Sequence, residues 1–352
     1  MAATTSSGGH TAMNTRTRPW SQAVRGPVRP GRRPGPSAGA GPDGIPSAPA
    51  VAAPLPYPPA EHVLRDLGLE VETTPDGTAR AWMPVTPQTA APWGGTTAGV
   101  IATFVDAVSG NLAAVAARPD RVATADLALT LVHPATGPQI EATGAVVRRG
   151  RTTLVVEVQL GDVGWASATF AVLPQRADAP GPSPRPDGRR AVFGGGGRPL
   201  PAWIGDVIGL EVVDAGAGVV TAPLGAYVAN SFGALQGGMV ALVAEQAGAA
   251  AIGAALGSPA STVALHTAYL AQCRVGPFRT TATVLDASGA SGSATVRVFD
   301  TGAGDRLTTI AHVRAVGGDG DGDGGHGGIR GSSGIRGIRG SSGIRGIRGS
   351  GG

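Results

Sequence analysis

NSFGALQGGMVALVAEQAGAAAIGAALG, residues 230–257, is the stretch that decides the fold of this chain. Asn230 is followed seven residues later by a double glycine, Gly237 and Gly238. An apolar run comes next, in which Glu245 and Gln246 are the only strongly polar side chains. Such a run predicts a helix that is buried in the protein. A carboxylate inside that helix costs free energy unless it has a partner or a chemical task.

The double glycine marks the predicted start of this helix. The first N–H groups of a helix have no partner within it, and the helix end carries partial positive charge, so a polarised carbonyl or an oxyanion is stabilised there. The stretch therefore predicts an acyl-group site, with N–H donors at one end of a buried helix and a carboxylate about two turns further on.

The unit around this helix is repeated in the chain. Gly68-Leu69-Glu70-Val71 recurs as Gly209-Leu210-Glu211-Val212 at an offset of 141 residues, and at a later offset of 139 Asp106 lies over Glu245. Each copy predicts a short helix, two strands, a long apolar helix and four strands in an antiparallel meander. Duplication at this length predicts two related domains that pack as a pseudo-dimer, with further homo-oligomerisation left open.

Composition divides the chain into five parts. Pro, Gly, Ser and Arg dominate both ends and the middle, which predicts disordered tails and an interdomain linker. The predicted parts are a disordered N-terminal tail at 1–54, a first domain at 55–173, a Pro/Gly-rich linker at 174–199, a second domain at 200–316 and a disordered Gly/Arg-rich tail at 317–352.

Charge and cysteine content limit the partners and the compartment. The formal net charge of the chain is +4, but the two tails together carry +7, so the remaining residues carry −3. Because the positive charge lies in the tails, we predict no nucleic-acid partner. Cys273 is the only cysteine, which excludes an internal disulfide and a cysteine-rich metal site and favours a reducing compartment. The first residues lack the apolar segment of a secretory signal. We predict a cytoplasmic protein whose long apolar runs are buried helices rather than membrane spans.

This order of elements resembles the hotdog fold, and two copies resemble a double hotdog, an α+β architecture in which each antiparallel sheet wraps around a long central helix. The resemblance covers roughly residues 60–173 and 200–316. Within it, one motif is similar to the N-x-x-G-x-x-[HQ]-G-G pattern, followed by an acidic residue, of acyl-CoA thioesterases of the phenylacetate-pathway and 4-hydroxybenzoyl-CoA kind. Its residues here are Asn230, Gly233, Gln236, Gly237, Gly238 and then Glu245. The commonest phenylacetate-type form has His at the Gln236 position and Asp at the Glu245 position.

In dimers of that family, the acidic residue of one unit completes the loop of the other. Carried onto this chain, the resemblance implies that Asn230, Gln236 and the N–H of Gly237 face Asp106. Asp106 is then the candidate carboxylate, acting either as a nucleophile or as the base that activates water. Asn230 would orient water or the carboxylate, or alternatively cap a turn. Gln236 would hold the thioester or the loop.

The reciprocal site is predicted to be weaker. By the 139-residue offset, Ala91 stands where Asn230 stands, and Thr97 stands where Gln236 stands. Glu245 would therefore face a loop without the Asn and the Gln, and it is either a second catalytic carboxylate or a carboxylate satisfied in the seam between the halves. We predict one well-equipped site per chain.

Further residues are assigned to substrate contact. The aromatic pair at the two loops is predicted to line the acyl pocket or simply to pack, and an arginine cluster at a predicted hairpin is either a solvated turn or a contact for coenzyme A phosphates. The substrate-binding candidates are Gly238, Thr97, Trp93, Phe232, Arg148, Arg149 and Arg151.

The resemblance implies hydrolysis of an acyl-CoA or another acyl thioester, with no metal or cofactor beyond the coenzyme A of the substrate. Two alternatives remain at this point: a non-catalytic acyl-binding hotdog protein, and a hotdog dehydratase or hydratase. The latter enzymes need a catalytic His near an acid, and neither long helix region contains one. His266 and His312 lie in predicted strands and are interpreted as structural, and Cys273 has no evident base partner.

Overall fold

The computed structural model describes residues 57–74, 76–92, 94–175, 190–192 and 198–318, with the backbone alone for 190–192. The predicted N-terminal tail, nearly all of the predicted C-terminal tail and most of the predicted linker lie outside the described residues, so the domain boundaries stay a prediction. The helices are α1 (Val63–Asp66), α2 (Ala98–Ala116), α3 (Ile204–Val207) and α4 (Gly237–Leu256).

The strands fall into two similar sets. Those of the first half are β1 (Glu70–Thr73), β2 (Thr78–Pro84), β3 (Arg121–Leu131), β4 (Gln139–Arg149), β5 (Thr153–Leu160), β6 (Gly164–Leu173) and β7 (Arg190–Val192). Those of the second half are β8 (Glu211–Asp214), β9 (Val219–Ala222), β10 (Ala260–Tyr269), β11 (Phe278–Ser288), β12 (Ser291–Asp300) and β13 (Arg306–Gly317).

The long helices form where the apolar runs predict them. The Gln236 side chain caps the start of α4 by accepting the N–H of Met239. Gly257 ends the same helix with a φ of 73°, a left-handed conformation that glycine adopts at little cost. Both helices are long and apolar enough to cross a membrane by length and composition, but 72% of an apolar 18-residue window in α2 and 67% of one in α4 is buried inside the protein. They are the central helices around which the strands wrap.

All described strands join one antiparallel sheet in the order β7-β1-β2-β4-β5-β6-β3-β10-β13-β12-β11-β9-β8. Apart from β7, this order reads the same from both ends, with β3 and β10 as equivalent strands at the centre. The halves join there, where His266 lies opposite Ala128 in the ladder. α2 packs against strands of the first half, and α4 packs against strands of the second. The prediction of a double hotdog, with two units packed as a pseudo-dimer, is confirmed.

The predicted four-strand meander is wrong in each half. β4, β5 and β6 follow one another as neighbours, but β3 pairs with β6 and with β10 rather than with β4. The connection between β3 and β4, residues 132–138, is longer than a tight hairpin turn and lets β4 lie elsewhere in the sheet. Pairing of β3 with its equivalent strand in the other half removes two edges from the sheet, and this non-local gain is invisible in local sequence.

The predicted linker contains a strand that composition did not indicate. β7 pairs antiparallel with β1, with Val192 opposite Glu70 and Arg190 opposite Glu72. An edge strand needs only backbone N–H and C=O groups to join a sheet, so a short segment within a Pro/Gly-rich stretch is sufficient.

The two central helices touch each other through glycine. A Cβ at Gly99 of α2 would lie 2.4 Å from the Cα of Leu242, and a Cβ at Gly238 of α4 would lie 2.2 Å from the Cα of Thr103. Any side chain at either position would collide with the backbone of the other helix. This close contact brings the start of α4 alongside the middle of α2, where Asp106 lies.

Candidate active site

The Asp106 carboxylate of α2 lies at the N-terminus of α4. Its Oδ2 accepts a hydrogen bond from Nε2 of Gln236 at 2.7 Å, and its Oδ1 accepts one from the Thr124 hydroxyl at 2.8 Å. The backbone N–H of Gly238 donates to the same carboxylate. A carboxylate from the first half thus meets the Gln236 side chain and the Gly238 N–H of the second half.

Burial sets the protonation behaviour of Asp106. The residue keeps only 8% of its surface exposed. Burial disfavours the charged form and raises the pKa of Asp106 from 3.8 to about 6, while the hydrogen bonds from Thr124 and Gly238 oppose that rise. A carboxyl group with a pKa about one unit below neutrality can be charged at pH 7 and still take up a proton during a reaction.

The first turn of α4 uses its N–H groups unequally. The N–H of Met239 bonds the Gln236 side chain, and that of Gly238 bonds Asp106. Among the described residues, none accepts the N–H of Gly237, which is half-buried beside the carboxylate. A Cβ at Gly237 would lie 2.9 Å from Oδ2 of Asp106, so glycine is needed for this close approach. One donor at the positive end of a helix is therefore available to a ligand.

Two tyrosines stand near the carboxylate. The Tyr269 hydroxyl donates to the carbonyl of Gly237 at 2.9 Å. Burial first, and the Asp106 charge second, raise the pKa of Tyr269 well above its usual value, so it stays a neutral donor. Tyr57 is 40% exposed, and its pKa is also raised by partial burial and then by Asp106. The ring of His62 meets Tyr57 edge-on at 5.2 Å, and Nε2 of His62 lies 3.0 Å from the carbonyl of Ala229 in the adjacent loop.

Asn230 organises the loop that leads into α4. Its side-chain oxygen accepts the N–H groups of Phe232 and Ala234 at 2.9 and 3.1 Å. This is the turn-capping arrangement that was the alternative to a direct role in catalysis. The Phe232 ring is half-buried, and the Arg121 guanidinium lies over it at 3.8 Å from the ring centroid. The loop is thereby held against the start of β3.

The pseudo-equivalent site is built from Glu245 and the start of α2. Both carboxylate oxygens of Glu245 lie within hydrogen-bonding distance of the Thr97 hydroxyl, at 3.0 and 2.9 Å, and Gln246 donates to one of them at 2.7 Å. Burial raises the pKa of Glu245, and the hydrogen bonds from Gln246 and Thr97 oppose the rise. The Thr97 hydroxyl donates to Glu245, and the Thr97 side chain does not cap its own helix.

The two sites differ in how accessible the first residue of the helix is to a ligand. Ala98 stands at the position equivalent to Gly237, and it is buried, whereas Gly237 is half-buried. Ala91 replaces Asn230, so no side chain ties the first-half loop in the same way. At the Glu245 site the corresponding N–H therefore belongs to a buried residue, and a methyl group takes the place of a glycine hydrogen.

The arginine candidates for substrate binding are not brought to Asp106. Arg148, Arg149 and Arg151 are exposed at the turn between β4 and β5, and in the described part of the chain no contact joins them to Asp106 or Gly237. Trp93 lies outside the described residues. Their roles in substrate binding stay predictions.

The three side chains interpreted as structural lie apart from the carboxylate. The rings of His266 and His312 stack with centroids 6.2 Å apart, and His266 bonds Asp126 at 2.6 Å where both are solvent-exposed. Cys273 is buried against Thr308, and burial raises the pKa of its thiol to about 11, so it is uncharged at neutral pH. Within the described ranges, no group of three or more His, Cys, Asp and Glu residues is arranged to hold a metal ion.

Several residues around the candidate site had no signal in the sequence. Thr124, Tyr57, Tyr269 and Arg121 belong to segments distant from the motif, and only the pairing of strands and the docking of the N-terminal segment bring them close. A threonine near the start of a strand is common, and nothing in its local pattern distinguishes Thr124.

Comparison with known proteins agrees with this architecture. A family model described as the Thioesterase superfamily matches residues 97–163 and 232–317, one segment in each half. No curated protein matches the chain. Fold and site together define a class, the hotdog-fold thioester hydrolases. Both halves of this tandem hotdog chain are similar to the Thioesterase superfamily, and this similarity supports a thioester hydrolase.

Solved structures with a similar chain fold have low sequence identity to this chain. An acyl-ACP thioesterase from Bacteroides thetaiotaomicron is 12% identical, with 68% of this chain and 98% of that chain covered and a TM-score of 0.46. The tesB protein of Mycobacterium avium subsp. paratuberculosis is 13% identical, with 68% and 93% covered and a TM-score of 0.47. The 12:0-ACP thioesterase of Umbellularia californica is 10% identical, with 70% and 96% covered and a TM-score of 0.47. The fold assignment rests on the strand order and the family model.

Proposed function

We propose that the chain hydrolyses acyl-CoA thioesters at a single well-equipped site, formed by Asp106 of the first half and the start of α4 in the second. The observation that carries the proposal is the contact of Asp106 with Gln236 and Gly238 beside the unpaired N–H of Gly237. At the Glu245 site the equivalent N–H belongs to Ala98, which is buried.

The N–H of Gly237 would bind the thioester carbonyl oxygen. As a nucleophile attacks the carbonyl carbon, negative charge grows on that oxygen, and a fixed donor at a helix N-terminus stabilises it without reorganisation. Loss of one such donor costs about 10²–10³ in kcat in enzymes with an oxyanion hole. Gln236 and Thr124 hold the carboxylate in place during this step, because each binds one of its two oxygens.

Two routes use the same carboxylate. As a base, Asp106 takes a proton from water, the hydroxide oxygen bonds to the carbonyl carbon, the C–S bond breaks, and the thiolate receives that proton. As a nucleophile, it forms a mixed anhydride with release of the thiolate, and water then cleaves the anhydride. Incorporation of ¹⁸O from labelled water into Asp106 during a single turnover would distinguish the anhydride route.

We propose that no metal or redox cofactor takes part. Among the described residues, the groups that bond the Asp106 carboxylate are hydrogen-bond donors, namely the Gln236 amide, the Thr124 hydroxyl and the Gly238 N–H. These donors hold a carboxylate by its lone pairs, the same lone pairs that a cation would occupy. Coenzyme A enters as part of the substrate.

Thiol release from a panel of acyl-CoAs tests the proposal, with Asp106→Asn, Glu245→Gln and Asp126→Asn compared with the unaltered enzyme. Asp126 is the matched control, because it is a carboxylate on the exposed face of the sheet. We expect Asp106→Asn to lose about 10³ or more in kcat, Glu245→Gln to lose less than about tenfold, and Asp126→Asn to be unchanged. Equal losses at Asp106 and Glu245 would contradict the single site. Absence of turnover with every acyl-CoA, together with tight binding, would indicate an acyl-binding protein.

A further inference from the structure

The two ends of the sheet differ in whether an additional strand covers the equivalent strands β1 and β8. At the first-half end, β7 covers β1. At the second-half end, β8 pairs with β9 on one side, and in the part of the chain that the structure describes no strand lies on the other. β1 and β8 are equivalent strands, so the internal repeat itself shows that a partner position beside β8 is open.

Exposure of equivalent residues supports this asymmetry. Val71 in β1 is 1% exposed, whereas Val212 in β8 is 44% exposed and its neighbour Val213 is 58% exposed. All four residues of β8 are exposed, although two are valines. A bare edge with two exposed β-branched residues is a template for addition of an extended segment.

The first half shows what kind of segment fits such an edge. β7 is three residues long, and its register places an arginine position, Arg190, opposite the acidic Glu72. β8 presents the same chemistry, since it begins with Glu211 and ends with Asp214. Opposite charges on neighbouring strands stabilise a sheet, so the expected occupant is a short basic and apolar strand.

The C-terminal sequence contains such a segment twice. GIRGIRG occurs at residues 334–340 and again at 343–349, and 317–352 contains no proline. A strand that adds to an edge must donate backbone N–H groups, which proline lacks. The other arginine-rich segment, RGPVRPGRRPGP at 25–36, has four prolines and is poorly suited to a ladder.

The distance is within reach of the chain. From β13, which ends at Gly317, a strand beyond β8 lies five strand positions across the sheet, or about 24 Å. The ladder pairings place β8 about nine residues further along the strands, or about 30 Å. Together these give a separation of about 40 Å, whereas the eighteen residues from Gly318 to Ile335 span up to about 59 Å.

A second copy of β8 is a poorer occupant. Antiparallel pairing of β8 with itself, in the register that uses all four residues, sets Glu211 opposite Asp214 at both ends. Like charges directly opposite each other destabilise a sheet. The basic segment of the same chain has no such conflict.

We propose that the GIRGIRG segment at 334–340, or its identical repeat at 343–349, adds to the outer edge of β8 as an extra antiparallel or parallel strand. The contact is the second-half counterpart of β7 on β1. It covers the two valines and occupies the open edge of β8, which limits edge-to-edge association between molecules at that strand.

Hydrogen exchange in the full-length chain tests this surface. One variant carries Ile335→Pro, Ile338→Pro, Ile344→Pro and Ile347→Pro, which remove N–H donors inside the repeats. The matched control carries four prolines outside the Ile-Arg pairs, at Ser332, Ser333, Ser341 and Ser342. Both variants keep the length and net charge of the chain, and all changes lie beyond the last described strand. Exchange in β13 reports that the fold is unaltered.

We expect the amides of β8 that face away from β9 to exchange about tenfold faster in the isoleucine variant than in the unaltered chain, and equally in the serine control. Charge reversal of the edge by Glu211→Arg with Asp214→Arg should have the same effect as the isoleucine variant. Fast exchange of β8 in the unaltered chain would overturn the proposal, because the edge would then be bare. Slow exchange in all variants would assign the edge to another occupant, and fast exchange in both proline variants would exclude the Ile-Arg pairs as the specific contact.

Discussion

Replacement of Asp106 by Asn is expected to stabilise the protein while abolishing its activity. Burial raises the pKa of Asp106 from 3.8 to about 6, so the folded state holds its proton more tightly than the unfolded chain. Burial of the carboxylate therefore does not lower the free energy of unfolding below about pH 4, and it lowers that free energy by the full amount above pH 6. A shift of about two units corresponds to about 3 kcal/mol at 1.36 kcal/mol per unit. An asparagine has no charge to bury and can still bond Gln236 and Thr124.

The pH dependence is the more specific part of this expectation. At pH 5 most of the folded protein carries protonated Asp106, and the cost is about 1.5 kcal/mol, whereas at pH 8 it reaches about 3 kcal/mol. Urea unfolding of the unaltered chain and of Asp106→Asn at both values should show the advantage of the variant growing by about 1.5 kcal/mol from pH 5 to pH 8. Asp126→Asn, at an exposed carboxylate, serves as the control. A variant that is no more stable than the parent at pH 8, or an advantage independent of pH, would refute the reasoning.

Three further predictions concern the same core. The kcat/KM for acyl-CoA hydrolysis should rise about tenfold per pH unit below pH 6 and level off above it, because Asp106 acts as the carboxylate; a profile flat between pH 5 and 8 would contradict this role. Glu245→Gln should be more stable than the parent at pH 8 in urea unfolding, because burial raises the pKa of Glu245; a loss of stability there would show that the charge is needed. Gly238→Ala should lower the free energy of unfolding by about 1–3 kcal/mol, because its Cβ would meet the backbone of Thr103. Gly110→Ala, also in a central helix, should raise it by about 0.5–1 kcal/mol, because its Cβ would make only an ordinary contact with Phe170 at 3.9 Å; similar effects at both positions would exclude the close helix contact as the cause.

Much of the site can be found in the sequence because its components are local. The N-cap at Gln236, the double glycine and the buried run all lie within one stretch, and each follows from helix chemistry. The internal repeat adds one non-local fact, the equivalence of Asp106 and Glu245. The resemblance to hotdog dimers then implies that Asp106 crosses to the other half.

The partners of that carboxylate could not be found in the same way. Thr124 and Tyr269 reach the site from β3 and β10, and the placement of those strands depends on the β3–β10 ladder at the seam. Arg121 reaches Phe232 for the same reason. A strand's local pattern states which face is apolar but not which strand lies beside it.

The sequence by itself determined the two apolar helices, the strand segments and the duplication, because helix periodicity, capping and turn chemistry act over a few residues. Only the tertiary structure decided the strand order, the pairing of β7 with β1 and the bare edge at β8, because a backbone ladder can form between any two extended segments whose ends can meet. The asymmetry between the two carboxylate sites has both origins. The sequence alone places Ala98 and Thr97 in the first half where Gly237 and Gln236 stand in the second. How tightly the protein packs around these residues depends on how closely the glycines let the two helices approach.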